Sequence, residues 1–275
     1  MHPNDFLHTS NTASLRVLQA IGAIGTILAL TILGASVLLR LTTAIGADGT
    51  ALSQLTTQAE NAIRLVHRLA AASVGILALA ASVLGWQNRA RFPAVMRPIA
   101  WIAGATVLLA VIGPLTPGYR FSPVTITNVV AGTVLVAACW WLSETLAVAT
   151  RRVAFRDPML VFTLAVFVLH VGLGAAASAY AVRGTPWVAF VHSGSAMLTT
   201  LLLGSILWDR RLHRELSALV GVMACLLAVQ ILLGMVSLWI EVRTVPLGFV
   251  HAMVSAVLAA GLVSIGVRDR SDSRT

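Results

Sequence analysis

Lysine is absent: all nineteen basic residues of the 275-residue chain are arginine. Charge of either sign is scarce, at 11% of the residues, where a soluble domain carries about 25%. No hydrophilic stretch is long enough to fold as a separate soluble domain. Cysteine is limited to Cys139 and Cys225, each inside an apolar run. There is no CxxC or CxxCH, which excludes a disulfide framework and a c-type haem attachment.

Apolar residues fill the space left by these absences. They make up 58% of the chain, and the mean hydropathy is +0.89. Eight apolar runs recur, at about 19–41, 67–86, 98–115, 125–146, 159–181, 187–208, 216–238 and 246–267. Each suffices to cross ~30 Å of hydrocarbon. Lipid forces the backbone to satisfy itself within helices or closed barrels, so the sequence predicts an all-α polytopic membrane protein with eight transmembrane helices. The first run exceeds a signal-peptide core and reaches Arg40 without a small-residue cleavage site, which reads as a retained span.

Arginine placement predicts the orientation. Arg16, Arg89, Arg91, Arg97, Arg151, Arg152, Arg156, Arg210, Arg211, Arg214, Arg268, Arg270 and Arg274 fall on one side. Arg40, Arg64, Arg68, Arg120, Arg183 and Arg243 fall on the other. The positive-inside rule then puts both termini in the cytoplasm of a plasma-membrane protein. The net charge of +9 is accounted for by anchoring to membrane lipid, and no nucleic-acid partner is needed.

The chain also reads as two halves of one plan, 1–150 and 151–275. His67 and His192 open the second and sixth runs, 125 residues apart; Asn128 and His251 open the fourth and eighth, 123 apart. Leu33-Gly34 has a counterpart in Leu173-Gly174, and Gly113 in Gly234. An even number of helices per half gives both the same topology, predicting two four-helix bundles related by a pseudo-twofold along the membrane normal. All four polar positions then lie at one depth near the outer surface, with His192 facing His251 and His67 facing Asn128.

Two histidines on facing helices can supply both axial ligands of a b-type haem. The same residues could instead form interhelical hydrogen bonds. Zinc would want three or four ligands, and no thiol or carboxylate accompanies these histidines. A proton path would want acidic residues within the spans, where only Glu144 qualifies. His170 lies outside the repeat; it could flank a haem edge, and reads first as a packing or hydrogen-bonding residue. His213 sits in an arginine-rich loop, and His2 and His8 in a polar, unpatterned N-terminus. The outer arginines, Arg64 and Arg68 above all, could pair with haem propionates or mark the interface.

Segments across nearly the whole chain carry a family resemblance. "LGASVLLRLTTAIGADG" (33–49), "HR" at His67-Arg68, "WVAFVHSGSAML" (187–198), "VQILLGMVS" (229–237) and "LGFVHAMVSAVL" (247–258) resemble, in order and spacing, the haem A synthase family. These eight-helix proteins oxidise a methyl group of haem o to the formyl of haem a for cytochrome oxidase. The resemblance implies that His192 and His251 ligate a resident haem b. It implies a substrate haem, haem o or haem a, in the N-terminal half with His67 as ligand and catalytic residue. Asn128, Arg64 and Arg68 would line that site. Electron- and oxygen-dependent hydroxylation steps, and haem o synthase or a terminal oxidase as partners, are implied as well. The chain departs from the family pattern at four places. Arg64 replaces the glutamate three residues before His67, with Glu60 a further turn upstream and expected to precede the helix. Asn128 replaces a histidine, and Ser193 replaces the arginine after His192. No cysteine pair occurs in 42–63. A non-enzymatic b-type electron carrier or oxidase-assembly subunit on the same fold is the alternative reading.

Overall fold

The computed structural model describes residues 3–45, 51–115, 123–148, 157–180, 186–239 and 245–268. Eight helices dominate: α1 (Pro3–Leu41), α2 (Thr57–Asn88), α3 (Met96–Ile112), α4 (Pro123–Ala147), α5 (Pro158–Tyr180), α6 (Pro186–Arg210), α7 (Ser217–Trp239) and α8 (Val245–Arg268). An antiparallel hairpin of β1 (Thr43–Ile45) and β2 (Ala51–Ser53) joins α1 to α2. Its side of the molecule, where α2, α4, α6 and α8 begin, is the hairpin end. All eight helices contain a stretch long and apolar enough to span a membrane. The protein is therefore a multi-pass, all-α membrane protein. Arg120, Arg151, Arg152, Arg156, Arg183, Arg243, Arg270, Arg274 and His2 lie outside the described residues.

Two boundaries differ from expectation. α2 begins ten residues before His67, because Thr56 caps it: the Thr56 hydroxyl accepts from the Ala59 N–H at 3.2 Å, satisfying an orphan donor of the first turn. Glu60 thus sits inside that turn, where a carboxylate suits the helix dipole. α1 likewise extends back through the polar N-terminal segment to Pro3, so His8 lies on a helix.

The first four helices pack in a closed ring, each against its neighbours, with α1 and α4 in contact along much of their length. Glycine explains that seam. A β-carbon on Gly22 would lie 2.7 Å from the Ser143 backbone nitrogen, and one on Gly25 would lie 3.0 Å from Cys139 Sγ. Small residues of this kind let membrane helices approach backbone to backbone. The last four helices form a looser ring, in which α6 touches α7, and α5 touches α8, only slightly. The arrangement is consistent with two four-helix bundles. The halves share one local device: Arg89 folds back over Trp86 at the end of α2, 3.9 Å from the ring centroid, and Arg211 does the same over Trp208 at the end of α6, at 3.3 Å. Arginine stacked on tryptophan is suited to a membrane–water interface.

α8 joins the halves, running against α4 and α1. The Trp140 Nε1–H donates to Ser264 Oγ at 2.6 Å. One turn further along α4, Arg268 makes a bidentate pair with Glu144, Nε to Oε2 at 2.8 Å and Nη2 to Oε1 at 2.9 Å. Glu144, the one acidic residue that the sequence offered for a proton path, is thus the partner of a helix-end arginine. It is only 4% exposed. Removing Arg268 alone strands that carboxylate, so Arg268→Ala should cost about 3 kcal/mol. Replacing both residues with leucine should recover most of the loss, because no buried charge remains. Thermal unfolding midpoints in detergent measure both variants.

Candidate functional site

The histidines of the C-terminal half are brought together by two helical hairpins of similar construction. On α6, the Ser195 hydroxyl donates to the His192 carbonyl at 2.7 Å. On α8, the Ser255 hydroxyl donates to the His251 carbonyl at 3.0 Å. Each serine has then spent its only proton and can only accept from elsewhere. Ser195 Oγ accepts from His170 Nδ1 of α5 at 2.9 Å, and Ser255 Oγ accepts from the Gln230 amide of α7 at 2.6 Å.

With the serine protons assigned in this way, the remaining proton positions follow. His170 carries its hydrogen on Nδ1. The second hydrogen of the Gln230 amide points at His251 Nε2, 3.1 Å away, which makes Nε2 the basic nitrogen of a neutral His251 ring. An iron would need that same Nε2 lone pair, so the Gln230 amide would have to turn away from it for iron to bind.

Glycine makes room for the His192 ring, and at His251 the approach of a glycine is looser, at ordinary contact distance. A β-carbon at Gly174 would stand 3.0 Å from His192 Cε1, and one at Gly234 would stand 3.8 Å from His251 Cε1. Gly174 is one turn beyond His170 on α5, and Gly234 one turn beyond Gln230 on α7. His192 Nδ1, His251 Nδ1 and Gln230 Oε1 are buried with no hydrogen-bond partner among the described residues. Buried polar atoms are ordinarily satisfied, so a bound group that completes this pair fits the site. Among the described residues, no group of three or more His, Cys, Asp or Glu side chains is placed to hold a metal ion. An axial pair on haem asks for two ligands only.

The N-terminal half is built differently. His67 Nδ1 donates to the Ile32 carbonyl of α1 at 3.2 Å. This is the second-shell contact that orients a ligating imidazole and leaves Nε2 basic. His67 lies ten residues into α2, whereas Asn128, His192 and His251 lie five or six residues into theirs. α2 therefore extends further at the hairpin end if all four share one depth. Asn128 stands partly buried on α4.

The glycine correspondences do not carry over to packing. Gly34 faces Phe249 and Met253 of α8 rather than a histidine, and a β-carbon at Gly113 would meet nothing within 4 Å. A cleft of about 540 Å³ opens between α1, α2 and α8, lined by Ile63, Val66, Gly34, Phe249 and Met253 among others and not by His67.

The arginines divide by environment. Arg64 is held by Glu60, with Nε at 3.0 Å and Nη2 at 2.7 Å from Oε1, and Arg68 is exposed. Arg40 is the guanidinium with spare capacity: its Nε and Nη1 are shielded from solvent and lack a partner among the described residues. It lies two turns beyond Leu33, which packs on Gly132 of α4, and so shares the face turned to α4. Sequence reasoning put Arg40 among the interface arginines. Its burial follows from the tight α1–α4 seam, which hydropathy does not encode.

The roles of Ser195, Ser255 and Gln230 were not anticipated, and His170 is joined to the site it had seemed to stand outside. Two local signals were available. A serine follows each histidine by three or four residues, and a donor precedes each glycine by four, as His170-x-x-x-Gly174 and Gln230-x-x-x-Gly234.

Fold and site together define a class: a multi-pass helical membrane protein with a matched pair of partly buried histidines near the hairpin end of its second bundle. Compared with protein-family models and with curated proteins, the chain matches none.

Proposed function

We propose that this is a membrane haem protein of the haem A synthase type. His192 and His251 would hold a resident b-type haem, and the N-terminal half, with His67, would oxidise the methyl group of haem o to the formyl of haem a, with dioxygen and an external electron donor driving two hydroxylations and water leaving the resulting gem-diol. The histidine pair carries this reading: two partly buried imidazoles on α6 and α8, each approached by a glycine of the preceding helix and each tied through a serine to a polar side chain on that helix. A bound haem supplies one-electron transfer through its iron. The chain supplies the rest. Gln230 keeps His251 Nε2 basic, the Ile32 carbonyl keeps His67 Nε2 basic, and Arg40 offers two N–H donors to a carboxylate. On this reading both termini face the cytoplasm of a plasma-membrane protein, and haem o synthase or a terminal oxidase is the partner.

The second reading, a b-type electron carrier or oxidase-assembly subunit, is favoured by the N-terminal half. Asn128 replaces a strong ligand there, and Gly34 and Gly113 do not make room for a histidine.

Co-expression with haem o synthase, followed by extraction and chromatography of the haems, separates the two readings. Synthase activity gives haem a from the wild type and none from His67→Ala, with haem b retained in both. Bound haem b with haem o left unconverted leaves the carrier. Protein purified without any haem rejects both.

A further inference from the structure

His170 is buried at 6% exposure in the middle of an otherwise apolar transmembrane helix. An imidazole is costly there unless its polar atoms are used. Its Nδ1–H is used, on Ser195. Its ring lies flat on another ring: the His170 and His192 centroids are 4.5 Å apart and the planes differ by 7°. The His192 imidazole is therefore confined on two sides, by the face of His170 and by the bare backbone at Gly174, both from one turn of α5.

The equivalent turn of α7 does the same job with other chemistry. Gln230 touches the His251 ring edge with a hydrogen bond and has no ring to stack. The two proposed ligands are thus oriented by different means, His251 by a donor and His192 by a stacked plane.

We infer that His170 is a positioning residue for the resident haem: by stacking on His192, and by sharing Ser195 with the His192 backbone, it fixes the plane of that axial imidazole and slows loss of the haem. This rests on the reading of His192 as an axial ligand. His170 is not itself the ligand.

The two components can be separated by substitution. His170→Phe keeps a stacking ring and loses the donor. His170→Gln keeps a donor for Ser195, as Gln230 has for Ser255, and loses the ring. His170→Ala loses both. Each variant is purified as the full chain, and three quantities are read: the absorption spectrum, the low-spin EPR line, and the rate of haem transfer to an excess of apo-globin.

All three variants should remain low spin, since no ligand is removed. His170→Ala should lose haem about tenfold faster than wild type, the effect typical of an outer-shell partner, with a broadened EPR line as the His192 plane is freed. His170→Phe should restore the narrow line and bring the rate to within about threefold of wild type. His170→Gln should stay close to His170→Ala in line width, because the plane and not the donor sets it.

An unchanged rate and line in His170→Ala overturns the inference. So does a line width restored by glutamine and not by phenylalanine. If alanine fails to yield folded protein, the phenylalanine–glutamine comparison decides alone. A high-spin His170→Ala would make His170 the ligand, and a fully low-spin His192→Ala would remove His192 from that role. Either result, or haem-free wild-type protein, overturns the haem assignment rather than the stacking argument alone, and the inference falls with it.

Discussion

His251→Ala should purify with less than about a tenth of the wild-type haem, since loss of a direct ligand exceeds the tenfold or greater effect of outer-shell changes. His192→Ala should do the same, and what haem remains in either should be high spin. Both side chains are approached by a bare glycine from the neighbouring helix, so alanine leaves a hole into which no other imidazole is directed at His251. Gln230→Ala removes the hydrogen bonds to His251 Nε2 and Ser255 Oγ but no ligand, and should leave a low-spin spectrum. Haem-to-protein ratio and spin state, measured on monodisperse protein in detergent, check all three. A His251→Ala variant with full low-spin haem would place the cofactor elsewhere.

Gly22→Leu should abolish folded protein. The β-carbon alone would lie 2.7 Å from the Ser143 nitrogen and 2.9 Å from the Cys139 carbonyl oxygen. Both are backbone atoms in the second half of α4 and cannot rotate away, so α1 and α4 must separate along their shared seam. Alanine at the same position should cost about 1–3 kcal/mol, in the range of overpacked cores. Leucine adds three more carbons where no space exists. Gly75→Ala is the matched control: its β-carbon meets nothing within 4 Å, and better helix propensity should make it neutral or stabilising by up to about 1 kcal/mol. Yield of monodisperse protein and the thermal midpoint in detergent distinguish these outcomes. Normal yield from Gly22→Leu would mean that α1 and α4 are not packed backbone to backbone.

The eight spans were legible because hydropathy alone demands them, and length then fixes helix over strand. What hydropathy marks is the apolar stretch, not the helix. Five of the first ten residues of α2 are polar, which puts this stretch outside the apolar run, although Thr56 supplies a cap. The three-residue strands of the hairpin are too short to show a period.

At the site, His192 and His251 stood out because ionisable groups are rare in membrane spans. What surrounds them depends on how each helix is rotated and how far it slides along its neighbour. A run of alanine, leucine and valine constrains neither. The stacking of His170 on His192, and the pairing of Glu144 with Arg268 across 124 residues, belong to that unencoded layer. Arg64 shows the converse. Its partner Glu60 is four residues away, a spacing that sequence does encode once the helix start is placed correctly.

α8 is the most buried of the eight spans, and its membrane-crossing window is two-thirds enclosed by the rest of the molecule. It lies against α1 and α4, fastens to α4 through Trp140 and Glu144, and carries His251. It is also the last of the eight to leave the ribosome. Seven helices must enter the bilayer and wait, the face of α4 meant for α8 filled by lipid, and Glu144 without its arginine. Chain synthesis is vectorial, so the docking of the final segment is the step at which assembly, closure of the second bundle and completion of the histidine pair coincide. A nascent chain halted before residue 245 lacks His251, the Ser264 acceptor of Trp140 and the arginine that pairs with Glu144.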